Sequence, residues 1–275
     1  MVLRNKISNV RGIGIRVHKG NKSKIKGCEI KKCITGIEVL SADPTVLFCS
    51  IRNCWENGIL SIAKEGLRCD GLIKLSWITQ CRDNGILCAG YNNHMRIEKC
   101  HEIQSNRMVG IKAVESSSIV IFGNKIFGNF QQGILLTDGT SAHIEQNDVY
   151  ANFKANIALG GVNSGDTVIL RNRIRESRAE GIFLMESGYC HIHANEITGS
   201  NDGIVMIDSA PLLLANDICE NARAGVVCSG LSFPRIERNL IAHNLVAGVL
   251  FRDEALPACI NNKVIQLQLT FFLDV

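Results

Sequence analysis

The 275-residue chain is poor in aromatic residues, which make up 5% of it, and it contains only four prolines. No Pro-rich, Ser-rich or charged stretch divides it, so nothing in its composition marks a linker between two domains. No segment reaches the ~18 consecutive apolar residues of a membrane span, and no membrane partner is expected. The opening residues MVLRNKISNVRGIGIR are basic but lack the apolar stretch of a secretory signal. Acidic residues are missing from one end. The first 32 residues carry Arg4, Lys6, Arg11, Arg16, Lys19, Lys22, Lys24, Lys26, Lys31 and Lys32 against Glu29 alone. Such an imbalance suits either a solvated cap or a docking pole for an acidic partner. No stacking aromatics are interleaved with these charges along the chain, which argues against nucleic acid as that partner.

The composition leans instead on Ile, Val, Asn and Gly, the residues of strands and turns. Their arrangement is periodic. A Gly-Ile or Gly-Val pair begins at Gly14, Gly36, Gly58, Gly85, Gly110, Gly133, Gly181, Gly203, Gly225 and Gly248, with Asn156-Ile157 filling the one gap. Between these pairs lies an Ile-x-x-Asn-x-Ile element, as in residues 121–126 (IFGNKI) and 192–197 (IHANEI). Its Asn position reads Asn5, Cys28, Cys49, Ser76, Cys100, Asn124, Asn147, Asn172, Asn195, Asn216, Asn239 and Asn262. Five residues on, a second small or polar position includes Cys33, Cys54, Cys81, Asn129, Asn152, Ser177, Ser200, Asn221 and Asn244.

A repeat of roughly 22–25 residues is too short for a helix pair and suits one coil of three short strands. The expected fold is therefore an all-β, right-handed parallel β-helix of about eleven coils. It would form one domain over 1–264, with the apolar tail 265–275 as a cap. Asn is expected at a bend where it tolerates left-handed backbone angles, with stacked side chains bonding coil to coil. Gly is expected where the backbone turns sharply. Because residues 2–7 already match the strand pattern, the first rung is expected to lie open to a partner or to a longer assembly.

Cysteine follows the repeat. A column that accepts Asn, Ser and Cys wants a small residue, and free Cys is a small buried hydrophobe. The C-x4-C spacing of Cys28/Cys33 and Cys49/Cys54 equals the internal spacing of the repeat, so it reads as packing and not as a zinc site. Reduced packing cysteines point to a cytoplasmic protein. His191 and His193 flank an inward Ile192, but no third ligand accompanies them, and no cofactor or metal is expected. Asp138, Asp208 and Asp253 recur at a turn, where Asp is ordinary. Insertions near residues 64–71, 90–94 and 160–166 fall at one turn of the coil, a place for binding loops.

If the Ile of each Gly-Ile pair points inward, the next residue points out. That outward column reads Arg16, Glu38, Leu60, Leu87, Lys112, Leu135, Ala158, Phe183, Val205, Val227 and Leu250. It shows aliphatic side chains where a sugar-cleaving groove would show carboxylates and aromatic platforms. Leu60, Leu87, Leu135, Phe183, Val205, Val227 and Leu250 are therefore candidate partner-binding residues. Arg11, Arg16, Lys19, Lys22, Lys24 and Lys26 join them at the basic end.

Residues 36–62 (GIEVLSADPTVLFCSIRNCWENGILSI), 194–206 (ANEITGSNDGIVM) and 239–249 (NLIAHNLVAGV) carry a family resemblance. The chain resembles the parallel β-helix repeat family. Within it the chain is most similar to the β-helix region of F-box-only ubiquitin-ligase subunits and related intracellular scaffold proteins. That resemblance implies protein recognition without catalysis. The expectation is a non-enzymatic scaffold in a multi-subunit protein assembly, with a cytoskeletal or ciliary complex as a natural setting. The alternative is a carbohydrate-active enzyme or sugar-binding β-helix of the pectinase-like type.

Overall fold

A computed structural model describes residues 1–64, 66–161 and 166–265. The expected fold class is the one observed. Three parallel sheets wind around a single core as a right-handed solenoid of about eleven turns, with no helix among the described residues. Each coil gives one short strand to each sheet in a fixed order. The second coil, for example, places Lys24–Lys26 in the first sheet, Glu29–Lys31 in the second and Thr35–Leu40 in the third. The first and second sheets each hold twelve strands and the third holds eleven, every strand pairing with the one three places on. At ~4.8 Å per rung, the rod is roughly 50 Å long. The tail assigned as a cap lies, from residue 266 on, outside the described residues.

Three-residue strands expose two side chains and bury the middle one. In the first sheet Ile25, Val46, Ile73, Ile97, Ile121, Ile144, Ile169 and Ile192 form one file with no exposure at all. Each such side chain contributes about 2 kcal/mol of hydrophobic stabilisation. Matching files of Ile and Val line the other two sheets, and together they make one continuous core.

The turns correct two details of the sequence reading. Asn is not the residue with the left-handed backbone. That conformation falls one position earlier, at Lys99, Gly123, Gln146, Arg171, Ala194, Ala215 and Arg238. The Asn side chain turns inward and forms a ladder. From Asn124 to Asn239 each Nδ2 donates to the Oδ1 of the Asn in the following coil at 2.9–3.0 Å. The same Oδ1 also accepts the backbone N–H of the preceding Asn. Backbone groups that would be orphaned at a buried bend are thereby satisfied. Gly does not open the third-sheet strand for its dihedral freedom either. A Cβ on Gly203 would lie 2.5 Å from the Gly225 carbonyl oxygen and 2.6 Å from Ile218 Cγ2, so the position admits no side chain.

Cys28, Cys33, Cys49, Cys54, Cys81 and Cys100 occupy the Asn columns, as expected, and all twelve cysteines are free thiols. Ten are buried, while Cys219 is half-buried and Cys259 exposed. Burial pushes the Cys49 thiol up to about 11 and those of Cys100, Cys190 and Cys228 up to about 12. The first two insertions do leave the coil at the third turn, as expected, but they are tied down. Buried Asn93 donates to the Ser61 carbonyl at 3.0 Å and to Ser61 Oγ at 2.9 Å, and Cys69 Sγ lies 3.1 Å from Ser61 Oγ. Residues 162–165 of the third insertion are outside the described residues.

Candidate functional site

The outward column of the third sheet is a real file. Leu60 pairs with Leu87, and Leu135, Ala158, Phe183, Val205, Val227 and Leu250 follow in register. Its side chains are half-covered by their neighbours, and Val227 is only 5% exposed. The basic end is not one patch. Arg16 is tied to Glu38 on the third sheet, Lys24 and Lys26 flank Ile25 on the first, and Lys19 and Lys22 lie near the third turn. Arg11, with Lys32, lies instead at the second turn, where both line a groove.

That groove, of about 1050 Å³, follows the second turn from the first coil to the sixth. Arg11, Lys32, Trp55, Arg82, Arg107 and Phe130 line it, with Asn9, Asn53, Gln80 and Ser105 between them. The fold builds it in a simple way. At each second turn the chain takes a left-handed residue (Lys32, Asn53, Gln80, Ser105), then an inward Cys or Asn, then an outward side chain. Backbone bonds from Trp55 to Cys33, from Arg82 to Cys54, from Arg107 to Cys81 and from Phe130 to Asn106 lock successive turns in register. The outward side chains therefore stack. The Arg82 guanidinium lies 3.7 Å from the centre of the Trp55 ring. Phe130 stacks on Phe153 at 4.9 Å, and Arg178 covers Phe153 at 4.0 Å.

Beyond Phe130, on the second-sheet side, a polar cluster continues the pattern. Phe127 stacks on Tyr150 at 4.7 Å, and the Arg175 guanidinium lies 4.0 Å from the Tyr150 ring centre. Arg175 donates to Asp148 Oδ2 at 3.2 Å and to Glu176 Oε1 at 2.9 Å. Burial pushes the Tyr150 hydroxyl up, with the Asp148 charge adding to it, so the phenol stays protonated at neutral pH. Burial works against the Arg175 charge, but Asp148 and Glu176 outweigh it. Two atoms of this cluster, Asp148 Oδ1 and Arg175 Nε, are buried without a hydrogen-bond partner. Native interiors seldom leave such groups unmatched. The arrangement brings a proton donor, a carboxylate acceptor and a fixed cation to one half-buried spot.

On the first sheet, His191 and His193 border an apolar hollow of about 280 Å³ with Val168, Leu170, Leu212 and Leu214. His143 lies two coils from His191, with Val168 on the rung between, and contacts Glu145 at 2.9 Å.

Sequence reasoning missed both the groove and the cluster. It sought aromatic platforms only in the third-sheet column, and it sought interleaved aromatics and charges only along the chain. The interleaving runs across coils, at the repeat spacing of Trp55, Arg82, Arg107, Phe130, Phe153 and Arg178. Reading the residue after each inward Cys or Asn of the second turn would have found it.

Residues 1–160 match the family model described as periplasmic copper-binding protein (NosD), and residues 155–268 match one described as a right-handed β-helix region. No curated protein matches the sequence. Among solved structures, a mutant of the periplasmic alginate epimerase AlgG superposes with a TM-score of 0.78 at 14% identity, covering 95% of this chain and 74% of that one. The A-modules of the Azotobacter vinelandii mannuronan C-5 epimerases AlgE6 and AlgE4 give TM-scores of 0.72 and 0.62, each at 14% identity. They cover 96% and 90% of this chain and 83% and 88% of their own. At such identities the likeness is one of fold.

These findings correct three expectations. The non-catalytic intracellular scaffold and the assignment as a non-enzyme give way, because the neighbours of this rod are carbohydrate-active enzymes. The cytoplasmic assignment gives way to a family described as periplasmic. The argument from cysteine fails because thiols buried in the core are protected whatever the compartment. The more specific likeness to F-box-only subunits finds no support. The chain is a right-handed parallel β-helix that belongs to the family described as periplasmic copper-binding protein (NosD).

Proposed function

We propose that the chain is a carbohydrate-active β-helix that holds a polysaccharide along its second turn. The observation that carries this reading is the groove from Arg11 to Phe130, in which two half-exposed aromatic side chains, Trp55 and Phe130, bracket a run of hydrogen-bonding side chains along the rod axis. Sugar recognition needs both, since aromatic rings meet the C–H faces of pyranoses while polar groups meet the hydroxyls. The epimerase names of the fold neighbours support the same class. Asp148, Tyr150 and Arg175, on the second sheet in the coils beyond Phe130, are the groups we assign to proton transfer. The test is turnover of a panel of polysaccharides by the purified chain. Asp148→Asn and Tyr150→Phe should each lower turnover by roughly a hundredfold or more, with little change in substrate binding. Full activity in both variants would remove the cluster from the reaction.

The family description also mentions copper. The donors do not fit it. Among the described residues no group of three or more His, Cys, Asp or Glu side chains could hold a metal ion. His191 and His193 have no third ligand beside them, and most thiols are buried within the core. No step is assigned to copper here.

A further inference from the structure

We infer that the second-turn groove selects a polyanionic polysaccharide, a chain whose sugar rings carry carboxylate or sulfate groups; this rests on the carbohydrate reading above. Four cations, Arg11, Lys32, Arg82 and Arg107, line the groove, and no acidic residue does. None of the four takes part in an ion pair among the described residues. Arginines on the neighbouring faces are neutralised: Arg52 by Glu29, Arg96 by Glu98, Arg173 by Glu196, Arg175 by Asp148 and Arg235 by Glu237. A row of unmatched cations inside a groove creates a positive track that attracts an anionic chain. Guanidinium groups in particular match carboxylate and sulfate oxygens in pairs.

The geometry also sets the length and the lane. The groove spans five rung steps of ~4.8 Å, roughly 24 Å in all, which suits an oligomer and not a single sugar. Trp55 and Phe130, 55% and 51% exposed, stand near its middle and its far end as stacking platforms. Arg82 and Arg107 stand between them, and Arg82 is held flat against Trp55. Toward the third sheet, the next residue of two coils is acidic. Glu56 accepts from Thr35 Oγ1 at 3.3 Å, and Asp83 accepts from Asn84 Nδ2 at 3.1 Å. These carboxylates repel an anionic polymer from that side and confine it to the aromatic lane.

The experiment is binding of the full chain to oligogalacturonates of graded length, dextran sulfate, neutral dextran oligomers, poly-glutamate and single-stranded DNA, followed by calorimetry at two salt concentrations. Long oligogalacturonate or dextran sulfate should bind, and short oligomers should bind at least about tenfold more weakly. Arg107→Gln and Arg82→Gln should each weaken binding about tenfold and flatten the salt dependence. Arg107→Lys should retain most of the affinity, and unchanged circular dichroism and Tm would show each variant folded. The stronger of the two anionic polymers tells carboxylate from sulfate. Neutral dextran binding that depends on Trp55 but not on Arg107 would overturn the anionic preference and leave the carbohydrate reading standing. Poly-glutamate or DNA binding as tightly as any polysaccharide would overturn both.

Discussion

Asn172 shows how much one side chain does in this repeat. Its Oδ1 accepts the backbone N–H and the Nδ2 of Asn147, and its own Nδ2 donates to the Ile144 carbonyl and to Asn195 Oδ1. Asn172→Ala strands all of these groups in a dry core, at a cost of about 3 kcal/mol. Asn172→Ser should cost less. In the same column Ser76 Oγ already accepts the Cys49 N–H at 3.1 Å and donates to the Lys74 carbonyl at 2.9 Å. Urea melts of the two variants would check the order. Glu29 gives a pH prediction. Hydrogen bonds from Lys31 and Arg52 hold its carboxyl down to about 2, against an ordinary 4.5. A depressed carboxyl stabilises the fold above its unfolded pKa, and that stabilisation is lost as pH falls toward the folded value. Tm should therefore fall more steeply for the native chain than for Glu29→Gln between about 4.5 and 2. At this scale the columns themselves were legible, because Asn, Ser and Cys recur in register. The coil-to-coil Asn ladder was legible as well, but the left-handed residue was placed one position too late, since Gly123, Gln146, Arg171 and Ala194 share no side-chain signature.

Among elements, the third-sheet strands are the least forgiving. Gly203 is the second residue of Asp202–Ile207, and a Cβ there would lie 2.5 Å from the Gly225 carbonyl oxygen of the next coil. Gly203→Ala must push two coils apart or displace Ile218, so we expect a loss of 3 kcal/mol or more, beyond ordinary overpacking of about 1–3 kcal/mol. Gly160 is a useful control. Among the described residues a Cβ there meets nothing closer than 3.9 Å, and Gly160→Ala should change Tm little. Strand position and facing were readable from the period-two pattern of residues such as Ile121 and Ile126, which are fully buried as the pattern requires. The groove at the second turn was not. Trp55 and Arg82 are 27 residues apart in sequence and stack only because the coils superpose. A linear scan for aromatic and basic neighbours cannot register such a pair.

For the whole molecule, the solenoid lays the groove out along one dimension. The first six coils each contribute one to three side chains to it, so the carbohydrate reading proposed above makes ligand length a measurable axis of affinity. The charged end, read from sequence as a single pole, is divided by the fold. Arg11 and Lys32 face the groove, whereas Arg16 is consumed by Glu38 and Lys24 faces another sheet. Counting charges along the chain could show the excess but not its partition around the circumference.

The Asn ladder carries a mechanical consequence. It is unbroken from Asn124 to Asn262, whereas the earlier coils fill the same column with Cys28, Cys49, Ser76 and Cys100. Sulfur is a weak partner; Cys49 Sγ reaches the Leu47 carbonyl at 3.3 Å and makes no amide ladder. Along this one edge the rear coils are cross-linked by amides and the front coils are not, so the edge is expected to be more compliant at the front. Under tension its front coils would part first. The front portion is also the one that carries the groove, so on the reading proposed above a bound polymer would meet the more compliant part of the shaft.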